Sequence, residues 1–145
     1  MTIPATITLP GKLDSLYSFM DFVSSCAREH GFSSEKISHL ELGLEEILIN
    51  IINHAYKESG IDGEIEITCR LTDSQTLIVE IKDSGKPFDI FSVHEPDLNA
   101  GIEDRQVGGL GIFLVKQLMD EVRYSREQDR NKLTFIVHNS GLNNN

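Results

Sequence analysis

Between Glu45 and Tyr56 the chain reads Glu-Glu-Ile-Leu-Ile-Asn-Ile-Ile-Asn-His-Ala-Tyr. At about 100° per residue, Glu46, Asn50, Asn53 and His54 fall on one stripe of a helix, flanking an apolar stripe. Asn is a weak helix former because its amide competes for the backbone, and solvated helix faces normally carry Lys and Glu. Two Asn on this face therefore suggest amides in use. Glu46 and Asn50, one turn apart, can offer a carboxylate and an amide oxygen to the same place. The oxygen is a hard ligand suited to Mg²⁺, and the carboxylate can accept a proton or orient a nucleophile. The same residues read equally well as the polar edge of an amphipathic helix.

Two other segments carry chemistry of a different kind. In Ile81-Lys-Asp-Ser-Gly-Lys-Pro-Phe-Asp89, an alternating strand runs into a glycine at Asp83. A carboxylate there can accept a hydrogen bond from an exocyclic amine such as the adenine N6 group, and Gly85 lets a flat base approach the backbone. An ordinary strand-ending Asp-Ser-Gly turn is the competing reading. In Gln106-Val-Gly-Gly-Leu-Gly-Ile-Phe-Leu-Val-Lys116, glycines lead directly into an amphipathic helix. Gly108, Gly109 and Gly111 leave backbone N–H groups unobstructed at a helix N-terminus, where the dipole favours anions; a flexible hinge is the alternative. The segment lacks the Lys-Ser/Thr of a P-loop and opens no βαβ unit, so it is neither a Walker nor a Rossmann motif. The histidines show no metal-ligand spacing. Neither Cys26 nor Cys69 stands beside a His or basic partner, and both read as core thiols.

Those residues need a scaffold to hold them. A strand around Ile3, Ile7 and Leu9 closes at Pro10-Gly11; a helix follows from Leu13 to about Gly31. Ser33 or Ser34 caps a second helix whose stripe runs from Ile37 through Ile51 to Ala55. Residues 64–71 and 76–83 form a hairpin, residues 84–108 a long loop, and residues 110–119 a third helix. Strands at 122–125 and 132–137 form a second hairpin turning around Gln128 to Asn131. The tail 139–145 is expected to fray. This order gives an α+β domain, its sheet mixed but mostly antiparallel and its helices on one face.

Composition narrows the function. With 13 Lys and Arg against 23 Asp and Glu, the net charge of −10 repels nucleic-acid backbones and anionic membranes. Backbone N–H groups can still hold a small phosphate ligand, because they carry no formal charge. No signal peptide and no apolar run of about 18 residues is present, so a single domain over residues 1–145 in the cytoplasm is expected, a reducing compartment that suits two unpaired thiols.

The order Glu46-x-x-x-Asn50-x-x-x-His54, then Asp83-Ser-Gly85-Lys-Pro-Phe-Asp, then Gly109-Leu-Gly111 opening a helix resembles the N, G1 and G2 boxes of the GHKL ATPases. Within that superfamily, the Glu46-x-x-x-Asn50-x-x-x-His54 spacing, the segment Asp83 to Asp89 and the segment Gly108 to Val122 together resemble the small bacterial anti-sigma factor serine/threonine kinases. The resemblance runs from about Pro10 to His138 and implies a Bergerat-type two-layer α/β sandwich, with ATP and Mg²⁺ between the helices and a lid at residues 84–108. It implies Glu46 as general base and Asn50 as Mg²⁺ ligand. Asp83 would bind adenine, with Gly85 beside it, and Gly108, Gly109, Leu110 and Gly111 would line the triphosphate. Asn53, His54 and Lys86 complete the implied nucleotide-binding set, with Thr134 on the adenine side. Such kinases bind a sigma factor as homodimers and phosphorylate a STAS-domain anti-anti-sigma protein. Arg105 is the only Arg in the lid and Lys86 lies at its edge, so charge stabilisation is expected from Mg²⁺ and backbone donors. That sparse positive charge motivates an alternative: a nucleotide-regulated binding module with little or no kinase activity. A histidine-kinase catalytic half is not expected, because no phosphoacceptor helix pair precedes the motifs.

Overall fold

The structure, a computed structural model, describes residues 4–58, 60, 62–72, 75–87, 89 and 109–139. In chain order these form β1 (Ala5–Pro10), a 3₁₀ turn (Leu13–Ser15), α1 (Leu16–Glu29), α2 (Ser34–Asn50) and a π-helical extension of α2 (Ile51–Lys57). β2 (Glu64–Thr72), β3 (Thr76–Asp83), α3 (Gly109–Leu118), β4 (Glu121–Glu127) and β5 (Arg130–His138) follow.

The strands align in the order β1-β2-β3-β5-β4, and every neighbouring pair is antiparallel. No parallel pair occurs among the described residues, although a mixed sheet was expected. The reason is topological. The α3 crossover leaves β4 in the same direction as β3, but β5 inserts between them.

Register separates the two faces. One row across the sheet reads Ile7, Ile67, Ile81, Leu133 and Tyr124. The next reads Thr8, Glu66, Lys82, Lys132 and Ser125. The two-residue period turns the first row toward the helices and the second to solvent. Ile67, Ile81 and Leu133 are buried with Phe19, Leu44, Ile47 and Leu48 of the helix layer in one continuous core. The third apolar-face row ends differently: Leu9, Ile65, Asp83, Asn131 and Arg126. Polar groups thus occupy core-facing positions at one end of the sheet.

Ser33, not Ser34, caps α2: its Oγ accepts from the Lys36 N–H at 3.1 Å. The second hairpin turns on Gln128 and Asp129 alone, both at positive φ, so Asn131 lies inside β5 rather than in the turn. Of the expected tail, residues 140–145 lie outside the described residues. Asn139 is held: it is buried and its N–H donates to the Gln75 carbonyl at 2.7 Å. The cysteine expectation is half corrected. Cys69 is buried, but Cys26 is only half-buried, and the His30 Nδ1 contacts the Cys26 carbonyl at 2.8 Å.

Candidate functional site

Asp83 ends β3 on the core side of the sheet, and only 2% of its surface is exposed. Burial pushes its carboxyl above the usual carboxylate range, opposed by hydrogen bonds from Asn131 and Gly85 and by the nearby Arg126 and Arg130 charges. Those two bonds, from the Gly85 N–H at 2.9 Å and the Asn131 Nδ2 at 3.0 Å, both land on Oδ1. Oδ2 takes neither.

A framework of side chains fixes this carboxylate. Asn131 Nδ2 also donates to the Lys86 carbonyl at 2.8 Å, and its Oδ1 accepts from the Tyr124 hydroxyl at 2.6 Å. Arg126 donates from Nη1 to the Gly85 carbonyl at 2.8 Å. The β4–β5 hairpin therefore clamps residues 83–86 through polar groups. Lys86 contributes its carbonyl here, and its side chain is exposed.

Across the helix layer, Asn50 Nδ2 donates to the Glu46 carbonyl at 2.8 Å and to Glu46 Oε2 at 3.2 Å. Neither bond uses the Asn50 amide oxygen. Burial raises the Glu46 carboxyl above its ordinary value; the Asn50 hydrogen bond opposes this, and the Glu45 charge adds to it. A half-buried carboxylate held by an amide in this way can take up a proton from a hydroxyl placed beside it.

The four-residue stripe was expected from an α-helical period, and the period changes within it. After Asn50 the helix widens to a π form, in which the Glu58 N–H bonds the Asn53 carbonyl five residues back at 2.8 Å. Asn53 and His54 lie in this wider segment, beyond the α-helical turns that carry Glu46 and Asn50. His54 Nδ1 lies 3.0 Å from Glu58 Oε1, and both His54 and Asn53 are half-buried.

The π segment is also where the helix meets the Asp83 loop. A Cβ at Gly85 would stand 2.5 Å from both the Cβ and the carbonyl oxygen of Ala55. The missing side chain at 85 thus serves helix-to-sheet contact. Beside it, the Ser84 N–H donates to the Tyr56 hydroxyl at 2.8 Å, and that hydroxyl donates to the Glu64 carbonyl at 2.6 Å. Tyr56 is 3% exposed.

Gly109, Leu110 and Gly111 form the first turn of α3, which carries no acidic residue. α3 lies close on α2: a Cβ at Gly43 would meet the Met119 methyl at 2.8 Å. Gly108, Arg105 and the lid from residue 90 onward lie outside the described residues. Thr134 requires a correction. It belongs to the outward row Thr68, Glu80, Thr134, Arg123, one residue out of phase with Leu133 and Phe135, so the sheet separates it from Asp83. Asn131 takes the place beside the carboxylate. Neither it, Tyr124, Arg126 nor Tyr56 was picked out from the sequence; a two-residue hairpin turn puts Asn131 inside β5 opposite Arg126, and the register of β3 on β5 pairs it with Asp83.

The family described as "Histidine kinase-like ATPase domain" matches residues 9–137. A "Serine-protein kinase RsbW" of Listeria monocytogenes serovar 1/2a is 32% identical over 122 residues, 81% of this chain and 76% of that protein. A protein of the same name from Halalkalibacterium halodurans is 30% identical over 130 residues, 86% of this chain and 78% of that protein. Among solved structures, the RsbU and RsbW domains of Rv1364c from Mycobacterium tuberculosis superpose with a TM-score of 0.66 at 16% identity, over 94% of this chain. The chain spans 32% of that solved protein, and the likeness shows the shared fold.

Proposed function

The chain belongs to the histidine kinase-like ATPase domain family, and we propose that it is an ATP-dependent serine/threonine protein kinase that acts as an anti-sigma factor. Its phosphoacceptor is a STAS-type anti-anti-sigma protein. The reading places it in the cytoplasm as a homodimer.

One observation carries the nucleotide half of this reading. Asp83 is a buried carboxylate with Oδ1 filled by protein donors, so the oxygen left over is an acceptor for an exocyclic amine such as that of adenine. Gly109, Leu110 and Gly111 then offer first-turn N–H groups to the phosphates, with the helix dipole in the right sense. Gly108 extends that cradle in this reading.

The Asn50 amide oxygen, outside both Asn50 hydrogen bonds, fits a Mg²⁺ ligand. Mg²⁺ bound with nucleotide needs only one or two protein oxygens, the rest coming from phosphates and water. When bound, it supplies charge neutralisation on the phosphates. Glu46 accepts the proton of the attacking serine or threonine hydroxyl, and the elevated basicity that burial gives it favours that role. The chain's own work is positioning, which is most of what phosphoryl transfer asks of a protein.

Incubation with γ-labelled ATP and a STAS-domain protein from the same organism tests the activity. Label on a serine or threonine of the acceptor is the expected result; a stable complex without label rejects the kinase. The second reading, a nucleotide-regulated binding module, has one observation behind it. Among the described residues, two cations near Asp83 are already engaged, Arg126 on the Gly85 carbonyl and Arg130 on Glu66. The same experiment separates the two.

A further inference from the structure

The fold brings the chain's two cysteines together. Cys26 lies on α1 and Cys69 on β2, and the two side chains line one cavity at the interface between helix layer and sheet, near enough for each thiol to shift the other's titration. The pair opens on a cavity of about 510 Å³ that Asp21, Phe22, Glu29, His30 and Arg70 also line. Its two thiols differ. Cys69 is 1% exposed, while Cys26 is half-buried and reachable from the cavity. The His30 ring is fixed beside Cys26 by the contact of its Nδ1 with the Cys26 carbonyl. Among the described residues no group of three His, Cys, Asp or Glu could hold a metal, so the pair is not part of a metal site there.

We propose that Cys26 and Cys69 form a peroxide-sensitive dithiol site, with Cys26 as the attacking sulfur and Cys69 as the resolving one, closing to an intramolecular disulfide that ties α1 to β2. The chemistry balances in two steps. The Cys26 thiolate attacks one oxygen of hydrogen peroxide; an S–O bond forms, the O–O bond breaks, and hydroxide leaves. The Cys69 sulfur then attacks the Cys26 sulfenic acid; the S–S bond forms, the S–O bond breaks, and the departing hydroxyl takes the Cys69 proton as water. Two sulfurs are oxidised and one peroxide is reduced. The electrostatics agree with this division of labour. The neighbouring Cys69 and the His30 charge lower the Cys26 thiol against its burial, and burial helps push the Cys69 thiol up.

The test is intact-mass and peptide-mapping analysis of the full-length, reduced chain before and after equimolar hydrogen peroxide. The expected product has lost two hydrogens, yields one cross-linked peptide joining Cys26 to Cys69, stays a single-chain species on a non-reducing gel, and returns to the starting mass with dithiothreitol. In Cys69→Ser, Cys26 should instead gain oxygen atoms. Wild-type protein that keeps both thiols, gains oxygen on Cys26 without the cross-link, or forms only interchain disulfides overturns the proposal. The wild-type measurement decides even where the variant does not fold.

Discussion

At the scale of single residues, the account turns on which atoms are already occupied. In Asp83→Asn, the two protein donors that now reach Oδ1 hold the amide oxygen, so the amide NH₂ faces the ligand. A donor then meets the adenine amine. ATP affinity should fall by a factor of about 10–100, the cost of about 1–3 kcal/mol for an unmatched buried polar group. Inosine triphosphate, with an acceptor at that position, should lose less; competition binding with both nucleotides measures the difference. The same variant has a stability signature. Burial raises the Asp83 pKa above its unfolded value, so the protonated carboxyl stabilises the fold fully below the unfolded pKa and this contribution is lost as pH rises through the folded one. Asp83→Asn should therefore melt higher than wild type at neutral pH, with the gap closing on acidification. Glu46 is also raised, and a base works only when ionised. Phosphoryl transfer should fall as pH drops through a value above the ordinary carboxylate range, and Glu46→Gln should bind ATP yet lose about 10²–10⁴ in transfer rate.

At the scale of elements, two contacts hold the site together. Gly85→Ala drives a Cβ into Ala55, at backbone as well as side chain, and separates helix from sheet where the two halves of the site meet. Thermal melting should show a loss of about 1–3 kcal/mol, the usual range for overpacking. The β4–β5 turn behaves oppositely. Gln128 and Asp129 both sit at positive φ, where Asn-Gly is preferred. Replacing the pair with Asn-Gly should add about 1 kcal/mol without altering nucleotide binding. Much of this architecture was legible from periodicity alone: both hairpins, three helices and the Asp83 strand end. What escaped it shares a physical cause. The π turn after Asn50 breaks the 3.6-residue period from which the stripe through Asn53 and His54 was built. Asn131 was assigned to a turn because its residue type favours turns, and only pairing across the sheet reveals it as the partner of Asp83. Thr134 was carried to the site by resemblance, and the two-residue period of its strand puts it on the other face.

For the whole molecule, the acidic composition and the one-sided sheet lead to a common picture. The helix layer and the sheet share one core, and Asp83 with Asn131 brings polar groups into it at one end of the sheet. In the proposed reading, a chain of net charge −10 holds a polyanion through backbone N–H groups and a divalent ion rather than through a basic patch. Calorimetric titration of the folded chain with ATP, in Mg²⁺ and in EDTA, tests this most directly. The account predicts saturable heat at one site per chain, with affinity weakened without Mg²⁺ and about 10–100-fold weaker in Asp83→Asn. Equal binding by wild type and Asp83→Asn, or no heat from wild type at all, would contradict it.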